Sequence, residues 1–288
     1  MLEKDPVASF GLDTRVSIPA REFVSVDTSS RPEVLLERLD RVETFAPHID
    51  LRERTYLAIP GGAGVDVGCG HGLAVAELVE RDIQAIGVDR SDVMIQAARR
   101  RFPSCTFVPG DATALPFPSG TMRWYRAERV YMHLPDPLAA LAEARRVLAP
   151  GGKVIVADQD FDSTVITSAD PGLTRAIVGA LTDNLPHGRA GSRMPGLLVQ
   201  AGLTHVTSSA IPMIFMDLDG IGPYIPMQAA ALAVETGVVS KRQADAWMAD
   251  LKDRAQDNQF LLAFMMFIST GCVPSPSDSE TDEDELYV

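Results

Sequence analysis

Val65-Asp66-Val67-Gly68-Cys69-Gly70-His71-Gly72 is the stretch whose reading decides the fold. A short apolar run passes directly into three glycines at alternate positions, 68, 70 and 72. Glycine accepts positive φ and carries no Cβ, so the chain can turn sharply there and a ligand can come close to the backbone. Residues 73–80 then read as the start of a helix, and the next apolar run ends on Asp89. Strand, glycine turn, helix, strand and terminal acid together make a nucleotide-type binding unit. A carboxylate at 89 suits a ribose diol, because it can accept hydrogen bonds from two hydroxyls.

Outward from this unit, strands and helices alternate. Apolar runs at 64–67, 85–89, 106–109, 123–127 and 153–158 read as strands, with helices at 73–81, 92–101 and 137–148 between them. Alternation of this kind predicts an α/β fold with a parallel sheet and helices on both faces. Right-handed crossovers then bring the C-terminal ends of the strands to one edge, where ligands bind. Two later runs, 206–215 and 260–269, complete a Rossmann-like sheet of seven mostly parallel strands. Before the last of them, helical patterns at 221–236 and 241–255 read as an insertion and a lid. Upstream, residues 1–29 show no period and read as an irregular arm. Ser30-Arg31-Pro32-Glu33 is a capping-box pattern that starts a helix, and a second short helix is expected at 51–58. The expected organisation is an N-terminal arm and helical cap over 1–60, a catalytic domain over 61–270 with the insertion at 219–256, and a disordered acidic tail over 271–288.

Composition narrows the function. The 288 residues are 46% hydrophobic and 23% charged, ordinary for a chain with a real core. The net charge of −13 argues against a sequence-independent grip on nucleic acid. Six acids between Asp278 and Glu285, with no basic residue after Gly271, supply part of that charge. Three scattered cysteines, Cys69, Cys105 and Cys272, form neither a disulfide framework nor a zinc site and suit a reducing compartment. The charged opening MLEKDPVASF does not read as a signal peptide, and no apolar run is long enough to span a membrane. These features predict a cytoplasmic protein with no membrane or nucleic-acid partner.

VDVGCGHG, the GVD ending at Asp89, PGDATALPF around Asp111, HLPDP and LAPGGKV, taken in that order, resemble class I S-adenosylmethionine-dependent methyltransferases. The similarity is to the small-molecule group typified by ubiquinone and menaquinone biosynthesis methyltransferases, and it covers residues 62–160 closely. It implies S-adenosyl-L-methionine as cofactor. By the same resemblance Asp66, Gly68, Cys69, Gly70 and Gly72 would border the methionine moiety and Asp89 would bind the ribose hydroxyls. Asp111 and Ala112 would sit by the adenine, with the stem of Arg90 packed over it. The loop from Arg126 to His133 would pass near the sulfonium. A dinucleotide dehydrogenase is the sharpest rival, but its G-x-G-x-x-G fingerprint needs glycine where this chain has Leu73. For Asp89 the plain alternatives are a solvated strand end or a helix N-cap, the latter a task Ser91 can take; for Asp111 it is a Gly-Asp turn.

The candidates for chemistry are His133, Tyr131, Asp158 and Asp160. Histidine titrates near neutrality and can take a proton from a nucleophile, although a loop-bracing role suits the His133 context at least as well. Tyr131 and Tyr125 are read either as lining the pocket or, by alternation, as placing one of the two rings in the core. Asp158 and Asp160 follow the fifth strand at the ligand edge, where a carboxylate can hold an amine or act as a base; a solvated loop is the plain alternative. His187, Arg189 and Arg193 form a second polar cluster, either a closing loop or ordinary surface. No metal-ligand cluster is visible, which disfavours a magnesium-dependent catechol route. Motifs for DNA-base methylation are missing, and extra cysteines for arsenic chemistry are missing too.

The function expected is methyl transfer to a small organic acceptor at carbon, nitrogen or oxygen, with an aromatic or indole-type secondary metabolite as one candidate. The alternative is a cofactor-binding scaffold that catalyses a rearrangement without methylating, or serves as a binding partner. A homodimer through the N-terminal helices is an open possibility.

Overall fold

The computed structural model of the chain describes residue 27 and residues 32–218 and 224–276. The irregular arm, the Ser30 capping box and the acids beyond 276 lie outside the described residues. Two helices open the described chain, α1 (Pro32–Glu43) and α2 (Ala46–Leu57). The alternating part follows as β1 (Gly64–Val67), α3 (Leu73–Glu80), β2 (Ala85–Asp89), α4 (Asp92–Arg101), β3 (Thr106–Pro109), β4 (Met122–Glu128), α5 (Pro137–Val147) and β5 (Leu148–Ile166). Then come α6 (Pro171–Asn184), α7 (Ala190–Gln200), β6 (Thr204–Phe215), α8 (Tyr224–Glu235), α9 (Lys241–Gln256) and β7 (Leu262–Cys272).

The seven strands form one sheet in the order β3-β2-β1-β4-β5-β7-β6. β1 pairs in parallel with β2 and β4, β2 with β3, and β4 with β5. β7 runs against β5: Gly151 donates to Val273 at one end, and Thr167 donates to Leu261 at the other. The expected fold class therefore holds, a Rossmann-like mixed sheet with mostly parallel strands. The order reverses at β1, whose neighbours lead outward to β2 on one side and β4 on the other, so the loop after β1 lies at the switch point where such sheets take ligands.

The helix boundaries follow local chemistry. α4 starts on Ser91, whose hydroxyl accepts from the Met94 N–H at 3.2 Å. α5 starts on Asp136, which accepts from Ala139 at 3.0 Å, with Pro137 in the first turn. α9 starts on a full capping box between Ser240 and Gln243. β5 departs most from its sequence reading, since it runs from Leu148 to Ile166 rather than 153–158. Pro150-Gly151-Gly152, read as a stop between helix and strand, lies inside it. The pairing register with β4 jumps there, from Met122–Leu148 to Trp124–Lys153, so the extra residues bulge without ending the strand.

By contact density the chain divides into two compact units. Of the described residues, one comprises 52–158, 191–209 and 267–276; the other comprises 27, 32–51, 159–190, 210–218 and 224–266. In the first, Val75 and Leu78 of α3, Ile95 and Ala98 of α4, Phe107 and Trp124 make one apolar cluster. In the second, α6 and α8 pack against each other, and the Trp247 indole N–H of α9 donates to the Thr174 hydroxyl of α6 at 2.8 Å. A ladder of rings, Phe45 on Phe215 at 4.6 Å, Phe215 on Phe264 at 6.1 Å and Phe264 on Phe161 at 6.5 Å, also belongs to this unit.

Candidate active site

All three glycines of the loop after β1 adopt positive φ: +70° at Gly68, +53° at Gly70 and +91° at Gly72. At two of them space is also closed. A Cβ on Gly68 would stand 2.4 Å from Val130, and one on Gly72 would stand 2.6 Å from Phe107. The turn thus needs glycine for its dihedrals and for the chain segments that press on it. The Gly68 and Cys69 N–H groups both donate to the Val88 carbonyl, at 2.8 and 3.0 Å, fastening the loop to β2.

Asp89, the last residue of β2, faces this loop. Its Oδ2 accepts from the Gly70 N–H at 2.9 Å and its Oδ1 accepts from the Ser91 N–H at 2.9 Å. Ser91 caps α4, so the N-cap alternative for Asp89 does not apply, and its carboxylate stays half-buried at the sheet edge. Arg90 beside it is exposed. Asp111 follows β3 and is exposed, whereas Ala112 is buried. Asp111 Oδ1 accepts from the Thr113 hydroxyl at 2.6 Å and the Thr113 N–H at 2.8 Å. Those bonds, with a smaller contribution from Arg90, hold the Asp111 carboxyl below the ordinary value, so it is an anion that accepts. The segment behind it is braced by Arg146, which donates to the carbonyls of Phe117 at 2.8 Å and Leu115 at 3.0 Å.

A second constellation lies inside the same unit and was only half legible in the sequence. Arg126, on β4, is almost wholly buried. Its Nε donates to Thr55 Oγ1 at 2.8 Å, its Nη1 to Asp66 Oδ1 at 2.5 Å, and its Nη2 to Glu128. Its guanidinium also stands 5.2 Å from the ring centre of Tyr56. α2 contributes further through Arg52, whose Nε and Nη2 reach Glu77 at 3.0 and 3.1 Å, while the Tyr56 hydroxyl donates to Glu77 at 2.8 Å. Sequence reading named Asp66 and Arg126 and missed Thr55, Tyr56, Glu77 and Glu128. The available signal was the spacing of Arg52, Thr55 and Tyr56, which puts three polar groups on one face of α2.

The candidates for chemistry are placed as follows. Residues 131–133 form one turn of 3-10 helix, and His133 closes it with its N–H on the Val130 carbonyl at 2.9 Å. Tyr131 is fully buried and its hydroxyl lies 3.0 Å from that of Tyr125. Burial and the neighbouring Tyr125 push the Tyr131 phenol well above its usual value, which suits packing rather than proton transfer near neutrality. Both tyrosines are thus interior, where alternation had assigned only one. Asp158 is buried, and its Oδ2 accepts from the N–H groups of Tyr131 at 2.8 Å and Met132 at 3.3 Å, so it braces the turn that carries His133. Asp160 belongs to the other unit, where its Oδ1 accepts from the Asp162 N–H at 2.9 Å. In the polar cluster before α7, Arg189 pairs with Asp162 and with Asp183 at 2.9 Å.

A doubly flanked β1, a glycine turn after it, an acid closing β2 and another acid after β3 make a nucleoside-type binding unit of a Rossmann-like α/β core. Residues 65–156 match the family model for the methyltransferase domain. An uncharacterised 37.1 kDa transposon protein of Streptomyces fradiae is 33% identical over 202 residues, which cover 67% of this chain and 59% of that protein. Demethylmenaquinone methyltransferase of Renibacterium salmoninarum is 35% identical over 101 residues, 35% of this chain and 43% of the relative. The chain thus spans about half the length of the curated relatives it matches. Among solved structures, a SAM-dependent methyltransferase of Thermotoga maritima shares the fold with a TM-score of 0.52 at 18% identity, over 84% of this chain and 96% of its own. Among the described residues, no helix is long and apolar enough to cross a membrane.

Proposed function

We propose that this protein transfers the methyl group of S-adenosyl-L-methionine to a small organic acceptor. The observation that carries the reading is the Asp89 carboxylate held against the Gly70 N–H at the end of β2. It puts a diol acceptor beside a backbone turn with no side chain in the way. Asp111 and Ala112 extend the same line toward an adenine, with Asp111 accepting from the exocyclic amine. Asp66, Gly68, Cys69, Gly70 and Gly72 border the methionine end. Arg90 covers the adenine with its stem.

The chemistry is an in-line displacement. A lone pair or carbanion of the acceptor forms a bond to the methyl carbon as the carbon–sulfur bond breaks, and the electron pair leaves with the sulfur as a neutral thioether. The leaving group is good already, so alignment and exclusion of water supply much of the rate. Asp158 and Tyr131 are engaged in bracing and packing. Histidine can take a proton near neutrality, so His133 is the group we assign to proton removal where the acceptor needs it, with bracing of its own loop as the other reading.

An aromatic or indole-type small molecule is the acceptor class to test first. Free thiols at Cys69, Cys105 and Cys272 fit a reaction in the cytoplasm. The test is incubation with methyl-labelled cofactor and a panel of aromatic, indolic and quinone-like acceptors. A labelled product with stoichiometric S-adenosylhomocysteine supports the reading. Cofactor binding with unlabelled conversion of an acceptor would favour the non-methylating alternative.

A further inference from the structure

Arg126 is out of place by every local rule. Trp124, Tyr125 and Ala127 around it on β4 are fully buried, and the interior of a parallel sheet ordinarily takes apolar side chains. Burying a charged cluster is often no more stabilising than burying an apolar one of the same volume. A merely mechanical clamp therefore does not explain the guanidinium. Its connections suggest what does. One nitrogen is spent on α2 through Thr55, one on the neighbouring Glu128, and the third on Oδ1 of Asp66. This leaves Oδ2 of Asp66 as the oxygen to meet a ligand, one residue before the loop begins at Val67-Gly68.

We propose that Arg126 is a positioning residue that keeps Asp66 ionised and aimed at the ammonium group of the cofactor's methionine moiety. The inference rests on the reading that Asp66 borders that moiety. The groups that face Asp66 are Arg126, Glu128 and Tyr125 from β4, Tyr56 from α2 and Cys69 from the loop. Among them Arg126 is the cation. Burial pushes the Asp66 carboxyl up and Glu128 adds to the push, while the charge and hydrogen bond of Arg126 oppose them. The carboxyl lies above its usual value even so, and without Arg126 it would rise further and accept less readily from an ammonium. The planar three-way geometry also explains the choice of arginine over lysine, since a single ammonium cannot face Thr55, Asp66 and Glu128 at once.

The test compares S-adenosylhomocysteine with 5′-methylthioadenosine, which keeps adenine and ribose but lacks the amino-acid end and its ammonium. Calorimetry on the full chain measures both ligands between about pH 6 and pH 8, a range in which a raised carboxyl titrates. For the wild type, affinity for S-adenosylhomocysteine is expected to be flat. For Arg126→Met it falls by about tenfold or more at the acid end and recovers as the pH rises, as expected for a lost charge-assisted contact. Affinity for methylthioadenosine changes by less than about threefold, since its contacts lie elsewhere. Arg126→Lys keeps the cation and is expected to keep the flat profile, and it serves as the test if the Met variant does not fold. Equal losses for both ligands, or a loss that does not change with pH, would overturn the proposal in favour of a structural role. Asp66→Asn separates the two levels. If that variant binds S-adenosylhomocysteine as the wild type does, Asp66 is not at the methionine end and the underlying assignment has failed. If it loses affinity while Arg126→Met does not, only the role of Arg126 is wrong.

Discussion

At Asp89 an observed scaffold role meets the proposed ligand contact. Its two oxygens already hold the Gly70 and Ser91 N–H groups, so its charge fixes the loop before any cofactor arrives. Asp89→Ala should weaken binding of S-adenosylhomocysteine by about 10- to 100-fold, the value of one or two hydrogen bonds to a charged group. Asp89→Asn, which can still accept at one oxygen, should lose less; titration calorimetry distinguishes them. An Ala variant with wild-type affinity would remove Asp89 from the site. Gly68→Ala probes the turn itself. At φ +70° and with Val130 at 2.4 Å, the new methyl should cost about 1–3 kcal/mol of stability, read as a lower Tm by calorimetry. The same residues mark what a sequence can disclose. The glycines and Asp89 were legible because their chemistry is local: a turn and the acid that ends the next strand. The burial of Arg126 was not legible, because it depends on a helix 70 residues upstream presenting Thr55 to β4. Nor could spacing show that Asp158 spends its carboxylate on the turn carrying His133.

At the scale of elements, the second half of α2 is tied to α3 within one compact unit. Its fastening is Arg52 and Tyr56 on Glu77 of α3. Burial alone would raise the Glu77 carboxyl, but the hydrogen bonds from Arg52 and Tyr56 and the nearby arginine charges outweigh it and hold the group below its usual value. A carboxyl depressed in the folded state contributes stability above its unfolded value, near about pH 4.3, and loses that contribution as the pH falls through the folded value. Glu77→Gln should therefore flatten the acid limb of a Tm-versus-pH curve while leaving the slope near neutrality unchanged. An acid limb identical to that of the wild type would show that the ion pair contributes nothing to the attachment of α2. The alternation of strands and helices from β1 to α5 came through in sequence because each strand is short, apolar and bounded by turn residues. β5 did not, because a Pro-Gly-Gly bulge interrupts its pattern early and mixed polarity obscures it beyond Asp158.

At the scale of the whole molecule, charge and class point the same way. A net charge of −13 repels phosphate backbones, so an electrophoretic shift with duplex DNA or structured RNA should show no complex even at low salt, where nonspecific binding is strongest. A salt-sensitive complex would reopen nucleic acid as the acceptor. The division into two compact units could not be read from sequence: β5, β6 and β7 each leave one unit and enter the other, and no linker composition marks the passage. The central claim is that the loop at 68–72, Asp89 and Asp111 hold S-adenosyl-L-methionine. Calorimetry of the wild-type protein with S-adenosylhomocysteine, with NAD titrated in parallel, tests it most directly. One saturable site is expected for S-adenosylhomocysteine and none for NAD; absence of the first, or preference for the second, would overturn that assignment.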